Sequence, residues 1–402
     1  MTRKLFFSLL TLLLAIFTHA SASAAPWEDQ VKRLARDGSV LVLDQADRPL
    51  FSLNPDKPLV PASIMKVVTS AAALDLLGPD YRFTTDFKLA STGDLWILGR
   101  GDPFLVSEEI EAAVLELQSQ GLREIRDLVL DNSYFTPDLV LDGTDRSLNP
   151  YDAFNGALCV NFNTISVVID PAGRVSAAEP QTPLTDMARD LAVKTGAKGQ
   201  VRFNLSDHPQ TCLLYAGDLI LTVLKKNGVK VGGRVRSTTG GAENIPLFYR
   251  RKSSRDLRWL LSRTLKFSNN FMANQIFLAW GAEIYGPPAS EEKSRQALQA
   301  FLAEKEVPPF YVEEGSGLSR LTAMSASQMI KVLKIFFPNR DLLTKEGSIF
   351  FKTGTMNGVR TIAGYMGEFP ARGRLFVIML NGAGAGNGVR EKILDLLEKN
   401  LN

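Results

Sequence analysis

Residues 61–79 read PASIMKVVTSAAALDLLGP, and this stretch decides the fold. Its alanines and leucines favour a helix, and apolar residues lie on almost every side of that helix. A helix without a polar face belongs in a core, so we expect it to be buried. Gly78 and Pro79 end it, since both residues are typical of the positions after a last helical turn. The sequence therefore predicts a central buried helix over residues 64–77.

Ser63 and Lys66 lie three residues apart at the start of this helix, so their side chains share one face, one turn apart. The free N–H groups and the dipole at a helix N-terminus favour a serine alkoxide or an oxyanion. Lys66 lies among apolar residues, where burial lowers its pKa and leaves a neutral amine that can accept the serine proton. The same two residues also fit an N-cap serine followed by a lysine whose charged end reaches water.

A second polar segment, residues 266–270, reads KFSNN and lies between helical stretches. The hydroxyl of Ser268 and the amide of Asn270 are suited to hydrogen bonding with a peptide and to passing a proton to a leaving amine. Taken alone, the segment is better explained as a helix N-cap or a loop.

A third segment, residues 351–355, reads FKTGT and follows a strand-like run. Gly354 indicates close approach of another backbone or a ligand, because glycine is otherwise unfavourable inside a strand. Lys352 with the hydroxyls of Thr353 and Thr355 is suited to holding a carboxylate. A strand that ends in a polar turn is the alternative.

The composition is that of an ordinary globular protein, with 402 residues, 45% of them hydrophobic and 22% charged. The net charge of +3 is too small to predict nucleic-acid binding. Residues 1–24 have a basic start, a short apolar run and small-residue triplets, which together are typical of a cleaved secretory signal. An uncleaved anchor is the alternative. We therefore expect a periplasmic or otherwise extracytoplasmic protein.

Histidine is scarce, because loss of residues 1–24 removes His19 and leaves His208. A Ser-His-Asp triad would have to use His208, and a metal site of several histidines is excluded. We expect no metal and no cofactor. Cys159 and Cys212 either form a disulfide, which an oxidising compartment permits, or remain two separate thiols in buried apolar strands.

Residues 83–244 differ in pattern from the sequence on either side of them. Within this stretch, short strand-like segments alternate with turn residues. Residues 25–82 and 245–402 instead mix helices and strands. We predict that these two stretches form one α/β (α+β) domain, with a sheet built from both of them. We predict that residues 83–244 form a largely β insertion of one or two subdomains, with one helix over Gly217–Asn227.

The three polar segments are much more specific as a combination than each of them is alone. S-x-x-K at Ser63, S-x-N at Ser268 and K-T-G at Lys352 follow the order found in penicillin-recognising serine acyl enzymes. The chain resembles the D-alanyl-D-alanine carboxypeptidase/endopeptidase family of class C low-molecular-mass penicillin-binding proteins, peptidase family S13. The stretches that carry this resemblance besides the motifs are residues 101–103, 130–135, 157–163, 315–320 and 358–367. Ser268 also follows Lys66 by 202 residues, and this family carries large insertions there.

The resemblance implies a DD-transpeptidase-like fold, an antiparallel sheet flanked by helices, with the insertion between the first and second motifs. It implies that Ser63 is the acylated nucleophile and Lys66 its general base. Ser268 and Asn270 would relay a proton and bind the substrate amide, and Lys352 would support the relay electrostatically.

The resemblance also implies substrate contacts along Thr353, Gly354 and Thr355, and an oxyanion hole formed by the backbone N–H groups of Ser63 and Thr355. The chain departs from many relatives at Asn269, where aspartate is common, although that position usually lies outside the chemistry. The insertion is also shorter than in the largest members of the family.

The implied activity is a serine D-Ala-D-Ala carboxypeptidase or DD-endopeptidase that acts on peptidoglycan peptides and is inhibited by β-lactams. Peripheral association with the cell wall or membrane is compatible with it. A β-lactamase and a catalytically silent peptidoglycan-binding protein are the alternatives. The motifs do not separate carboxypeptidase from endopeptidase activity, because both use the same serine.

Overall fold

The computed structural model describes residues 26–137, 139–145, 147–205, 208–369 and 372–401. The predicted signal segment, residues 1–24, lies outside these ranges. The helices in the described ranges are α1 (Trp27–Leu34), α2 (Met65–Leu76), α3 (Ser107–Ser119), α4 (Asp186–Lys194), α5 (Pro209–Lys226), α6 (Leu257–Phe267), α7 (Asn270–Tyr285), α8 (Glu291–Glu304), α9 (Ala326–Phe336) and α10 (Val389–Leu401). None of them is both long enough and apolar enough to cross a bilayer.

The strands of the same ranges fall into four sheets. They are β1 (Ser39–Asp44), β2 (Pro49–Leu53), β3 (Thr84–Leu89), β4 (Leu95–Gly99), β5 (Glu124–Ile125), β6 (Leu128–Asp131), β7 (Thr164–Ile169), β8 (Val175–Ala177), β9 (Gly199–Asn204), β10 (Lys230–Val231), β11 (Val235–Thr238), β12 (Leu247–Lys252), β13 (Thr344–Glu346), β14 (Ile349–Met356), β15 (Val359–Met366) and β16 (Arg374–Asn381).

The largest sheet has the order β13-β14-β15-β16-β1-β2, and each neighbouring pair is antiparallel. β1 and β16 are far apart in sequence, yet Ser39 pairs with Met379. The predicted antiparallel sheet, built from both ends of the chain, is confirmed.

Both faces of this sheet are covered, as the alternation of side chains along β16 makes clear. Val377 and Met379 pack into the core that contains α2, whereas Phe376 and Ile378 pack on the other side with Val31 of α1 and with α10. The strand is therefore apolar on both faces, which is why its sequence reads as a continuous hydrophobic run.

Helix α2 lies at the centre of the larger core. Every residue from Met65 to Ala73 is buried, and the helix packs against α6, α7, α8 and α9. The predicted buried helix is confirmed, and a 3-10 turn at Ala62–Ile64 precedes it. A polar side chain at Lys66, inside such a helix, has to find its partners within the protein.

The inserted region is less purely β than predicted. It holds the sheet β11-β6-β4-β3-β12, the sheet β8-β7-β9 and a short parallel pair, but also α3, α4 and α5. The single predicted helix, Gly217–Asn227, is too short, because α5 begins at Pro209. Helix α3 went unpredicted, although Ile110, Ala113 and Leu117 have helical spacing and are buried.

Strand β12 lies beyond residue 244, the predicted end of the insertion, yet it pairs with β3 of the inserted sheet. The division of the chain into domains at residues 82 and 244 stays a prediction.

Both cysteines are buried and free. Cys212 lies in α5 and not in the strand predicted for it, because its apolar neighbours belong to a buried helix face. Burial raises the pKa of Cys212 to about 12, so its thiolate is scarce at neutral pH.

Candidate active site

Ser63 lies in the 3-10 turn that precedes α2, and close packing holds that turn in place. Ala62 has φ of 49°, a left-handed conformation that non-glycine residues rarely adopt. It is fully buried between two glycines. A Cβ on Gly317 would lie 2.0 Å from the Ala62 carbonyl oxygen, and a Cβ on Gly354 would lie 2.9 Å from the Ala62 Cβ. The surrounding backbone therefore fixes the direction in which Ser63 points.

Lys66 is fully buried, and its amine has three oxygen neighbours. Its Nζ lies 3.0 Å from Ser63 Oγ, 2.8 Å from Asn270 Oδ1 and 2.7 Å from the carbonyl oxygen of Ser316. The last two oxygens can only accept, so they take the two protons of a neutral amine. The remaining lone pair of that amine then faces the Ser63 hydroxyl, which is the arrangement that a general base requires.

The electrostatics of Lys66 favour this neutral form. Burial, the largest effect, and the charge of Lys352 together lower the pKa of Lys66 to about 7, against the opposing charge of Glu314. An uncharged Lys66 amine is therefore accessible beside Ser63 near neutral pH.

The second motif lies between α6 and α7, as expected for a polar segment between helical stretches. Ser268 has φ of 52° and ends α6, and the side chain of Asn269 caps α7 by accepting a hydrogen bond from Met272 N at 2.9 Å. Asn270 then begins α7 and accepts from Lys66. Asn269 thus has a structural partner in the helix cap, a role that aspartate fills equally well.

The third motif lies on β14, whose Gly354 packs against the 3-10 turn Ala62–Ile64, which we call the serine turn. A Cβ at this position would lie 2.8 Å from Ser63 N and 2.3 Å from Thr361 Oγ1. Thr361 in turn donates a hydrogen bond to the Pro61 carbonyl at 2.7 Å. The absence of a side chain at residue 354 therefore allows β14 to lie directly beside the backbone N–H of Ser63.

Lys352 and Arg390 place positive charge along this strand. Lys352 is buried, its Nζ donates to the Thr353 carbonyl at 2.8 Å, and burial together with Arg390 lowers its pKa to about 8. Arg390 extends from α10 and donates to the Gly354 carbonyl at 3.1 Å, with its Nη1 3.5 Å from Thr355 Oγ1. This positive charge makes the end of β14 suited to a carboxylate.

The motifs meet at a cleft of about 780 Å³, which Ser63, Ser268, Asn270 and Thr355 all line. The predicted convergence of the first and second motifs is direct, through Lys66. Lys352 and Thr353 do not line the cleft: Lys352 is buried, where its charge acts on Lys66, and Thr353 is half-buried on β14. Sequence reasoning missed the other side chains that line this cleft, among them Asp142, Tyr151, Arg320, Leu321, Met356 and Asn357.

A buried carboxylate, Glu314, was also missed. It accepts hydrogen bonds from Ser316 N at 2.8 Å, from Ser316 Oγ at 2.5 Å and from Ser319 N at 3.2 Å. It thereby holds the loop whose Ser316 carbonyl contacts Lys66. The only signal in the sequence is its position directly before residues 315–320, one of the stretches that resemble the family.

Comparison with known proteins identifies the family. The profile of the D-Ala-D-Ala carboxypeptidase 3 (S13) family matches residues 28–345. The chain belongs to the S13 family. It is 28% identical over 418 residues to a D-alanyl-D-alanine carboxypeptidase of Actinomadura sp. (strain R39), which covers 84% of this chain and 76% of the relative.

Solved structures share the S13 fold. Penicillin binding protein 4 (dacB) from Haemophilus influenzae matches with a TM-score of 0.76 at 22% identity, over 93% of this chain and 98% of that one. Bd3459 from Bdellovibrio bacteriovorus, a predatory endopeptidase acylated by penicillin G and bound to the immunity protein Bd3460, has a TM-score of 0.51 at 17% identity. It covers 90% of this chain and 92% of that one.

These findings confirm the predicted family, the fold class and the enzyme class, a serine D-Ala-D-Ala carboxypeptidase. The profile match ends at residue 345, before the K-T-G segment. The third motif is therefore linked to the site by the packing of Gly354 against Ser63.

Proposed function

We propose that this S13 enzyme removes the terminal D-alanine from peptidoglycan stem peptides that end in D-Ala-D-Ala, through an ester on Ser63. One observation carries the proposal: a buried amine with a pKa of about 7, that of Lys66, lies 3.0 Å from the Ser63 hydroxyl. A serine without such a base is a weak nucleophile at neutral pH.

In the first half-reaction, neutral Lys66 takes the Ser63 proton while Oγ attacks the carbonyl carbon between the two D-alanines. The backbone N–H groups of Ser63 and Thr355 stabilise the oxyanion of the tetrahedral intermediate. The close packing at Gly354 supports this assignment, because it lets β14 approach Ser63.

The C–N bond then breaks, and the leaving amine takes a proton from Lys66 through the hydroxyl of Ser268. Asn270 binds the substrate amide and holds the Lys66 amine, to which it is hydrogen-bonded at 2.8 Å. Lys352 contributes positive charge, and Thr353, Gly354 and Thr355 bind the terminal carboxylate and the peptide backbone, which adds to the sheet beside β14.

In the second half-reaction, Lys66 accepts a proton from water, which attacks the ester and releases the shortened peptide with a new carboxylate. Ser63 recovers its proton, and no cofactor takes part. We further propose that β-lactams acylate Ser63 as mimics of the substrate. Acylation of the structurally similar Bd3459 by penicillin G supports this. The substrate implies an extracytoplasmic location, with the wall itself as the partner.

The test is to incubate the purified chain, without residues 1–24, with a fluorescent penicillin and to map the labelled peptide. We expect label on the peptide that contains Ser63 and none in Ser63→Ala. Release of D-alanine from a pentapeptide is then measured. Fast loss of the label with hydrolysed penicillin would identify a β-lactamase. Stable label without D-alanine release would identify a binding protein.

A further inference from the structure

A second groove, of about 790 Å³, adjoins the active-site cleft. The two share Tyr151, Ser268 and Asn270, so the groove begins where the cleft ends, at the second motif. It runs between the inserted region and α6. We call it the aromatic groove; it is lined by Phe104, Pro150, Tyr151, Phe162, Arg202, Trp259, Arg263, Phe267, Ser268, Asn269, Asn270, Phe271 and Met272.

Aromatic rings form one wall of the aromatic groove. Phe104 meets Trp259 edge to face, with ring centroids 4.8 Å apart, and meets Phe162 at 6.2 Å. Phe267 is 67% exposed at the end of α6. Apolar surface that gathers in a concave site and remains open to water is typical of a binding site.

The charge of the aromatic groove is positive. Arg202 lies over the Phe162 ring at 5.5 Å, and Arg263 lies over the Trp259 ring at 5.1 Å. No aspartate or glutamate is found among the described residues that line the groove. Within the described part of the chain, Arg263 has no ion pair with a carboxylate. Arg202 donates its Nε to Thr164 Oγ1 at 3.0 Å, which fixes its guanidinium on the Phe162 face. Guanidinium groups held on aromatic faces in this way are suited to a carboxylate ligand.

The backbone beneath this wall is strained. Asn161, Phe162 and Asn163 have consecutive φ values of 49°, 60° and 52°, which together form a left-handed turn. Left-handed conformations are unfavourable for L-residues, and such strain gathers at functional sites. Here the turn directs Phe162 into the aromatic groove, between Phe104 and Arg202.

We propose that the aromatic groove binds the second, acidic peptide branch of a cross-linked peptidoglycan substrate, the branch that supplies the leaving amine. Its apolar atoms lie against Trp259 and Phe162, and its carboxylates pair with Arg202 and Arg263. The inference rests on the proposed function, because it uses the same acyl-enzyme on Ser63.

The leaving branch is the part of the substrate that fits this position. Ser268 delivers the proton to the leaving amine in the proposed mechanism, and Ser268 lines both the cleft and the aromatic groove. A single leaving D-alanine is too small to extend past Ser268. A leaving branch with its own peptide and its own carboxyl terminus does extend past Ser268. The negative charge of this branch complements the positive charge of the aromatic groove. The groove therefore favours endopeptidase activity.

The experiment compares two substrates, a monomeric pentapeptide and a cross-linked muropeptide dimer, in the full chain with both arginines changed, Arg202→Gln with Arg263→Gln. We expect kcat/KM for the dimer to fall about tenfold, while that for the pentapeptide stays within about twofold. The double Arg→Lys variant should recover most of the loss, because it keeps the charge. Arg255→Gln is the matched control: Arg255 also lies over Trp259, at 4.8 Å, but does not line the groove.

A binding measurement separates this proposal from the proposed function. In the Ser63→Ala background, calorimetric titration should show the dimer binding about tenfold more weakly after the two arginine changes, and the pentapeptide binding unchanged. Equal losses on both substrates, or no loss on the dimer, would overturn the proposal. Absence of turnover by the native chain would refute the proposed function alone, since the titration still decides whether the aromatic groove binds the dimer.

Discussion

Gly354→Ala is the sharpest test of how the serine turn and β14 are joined. The new methyl group would lie 2.8 Å from Ser63 N, 2.9 Å from the Ala62 Cβ and 2.3 Å from Thr361 Oγ1. Ordinary contact begins at about 3.4 Å, so β14 has to retreat from Ser63 by about 0.6 Å, and the Thr361 hydroxyl has to move further. The substitution therefore widens the gap between two parts of the site without removing any polar group.

Two magnitudes follow from this displacement. Overpacking of a buried contact costs about 1–3 kcal/mol in the free energy of unfolding. Loss of one oxyanion donor slows acyl transfer by about 10²–10³-fold, which corresponds to about 2.7–4 kcal/mol in the barrier. We therefore expect Gly354→Ala to fold with a lower melting temperature and to lose acylation far beyond what its stability explains.

The assay is the rate of labelling by a fluorescent penicillin, alongside thermal denaturation followed by circular dichroism. Gly232→Ala is the control, because a Cβ there meets nothing closer than 3.9 Å. Acylation of Gly354→Ala at the native rate, with an unchanged melting temperature, would show that β14 does not lie against Ser63 as described.

Three further predictions concern neighbouring residues. Acylation should rise with pH through about 7, as Lys66 becomes neutral, and fall above about 8, as Lys352 loses its charge; a labelling rate that does not change across this range would contradict both assignments. Glu314→Gln removes a negative charge that raises the pKa of Lys66, so this pKa should fall further and the rising limb of the pH–labelling profile should move to lower pH. A rising limb at the native pH would exclude an electrostatic effect of Glu314 on Lys66. Asn269→Ala should lose about 1 kcal/mol in urea denaturation with the cap of α7, whereas Asn269→Asp should keep both stability and labelling; unlabelled Asn269→Asp would place residue 269 in the chemistry.

The parts of the site that the sequence predicts are those encoded by short local patterns. Ser63 and Lys66 are separated by one helical turn, so their contact follows from helix geometry alone.

The parts that escaped prediction depend on contacts between distant segments. The link from Glu314 through Ser316 to Lys66 joins residues about 250 positions apart, and no local pattern encodes it. The left-handed backbone of Ser268 also escaped prediction, although the polar segment between two helical stretches was predicted. The aromatic groove is assembled from the insertion and α6, so neither segment indicates it alone.

The pairing of Ser39 with Met379 has a consequence for the order of events during synthesis. The nucleophile emerges from the ribosome early, while β14 to β16, which complete its surroundings, are made last. The insertion has a hydrophobic cluster of its own and can collapse before β14 to β16 have been made. Long-range strand closure is slow, since the loop has to be closed before its contacts form. The site around Ser63 is therefore complete only after the last strands of the chain have been made and have joined the sheet.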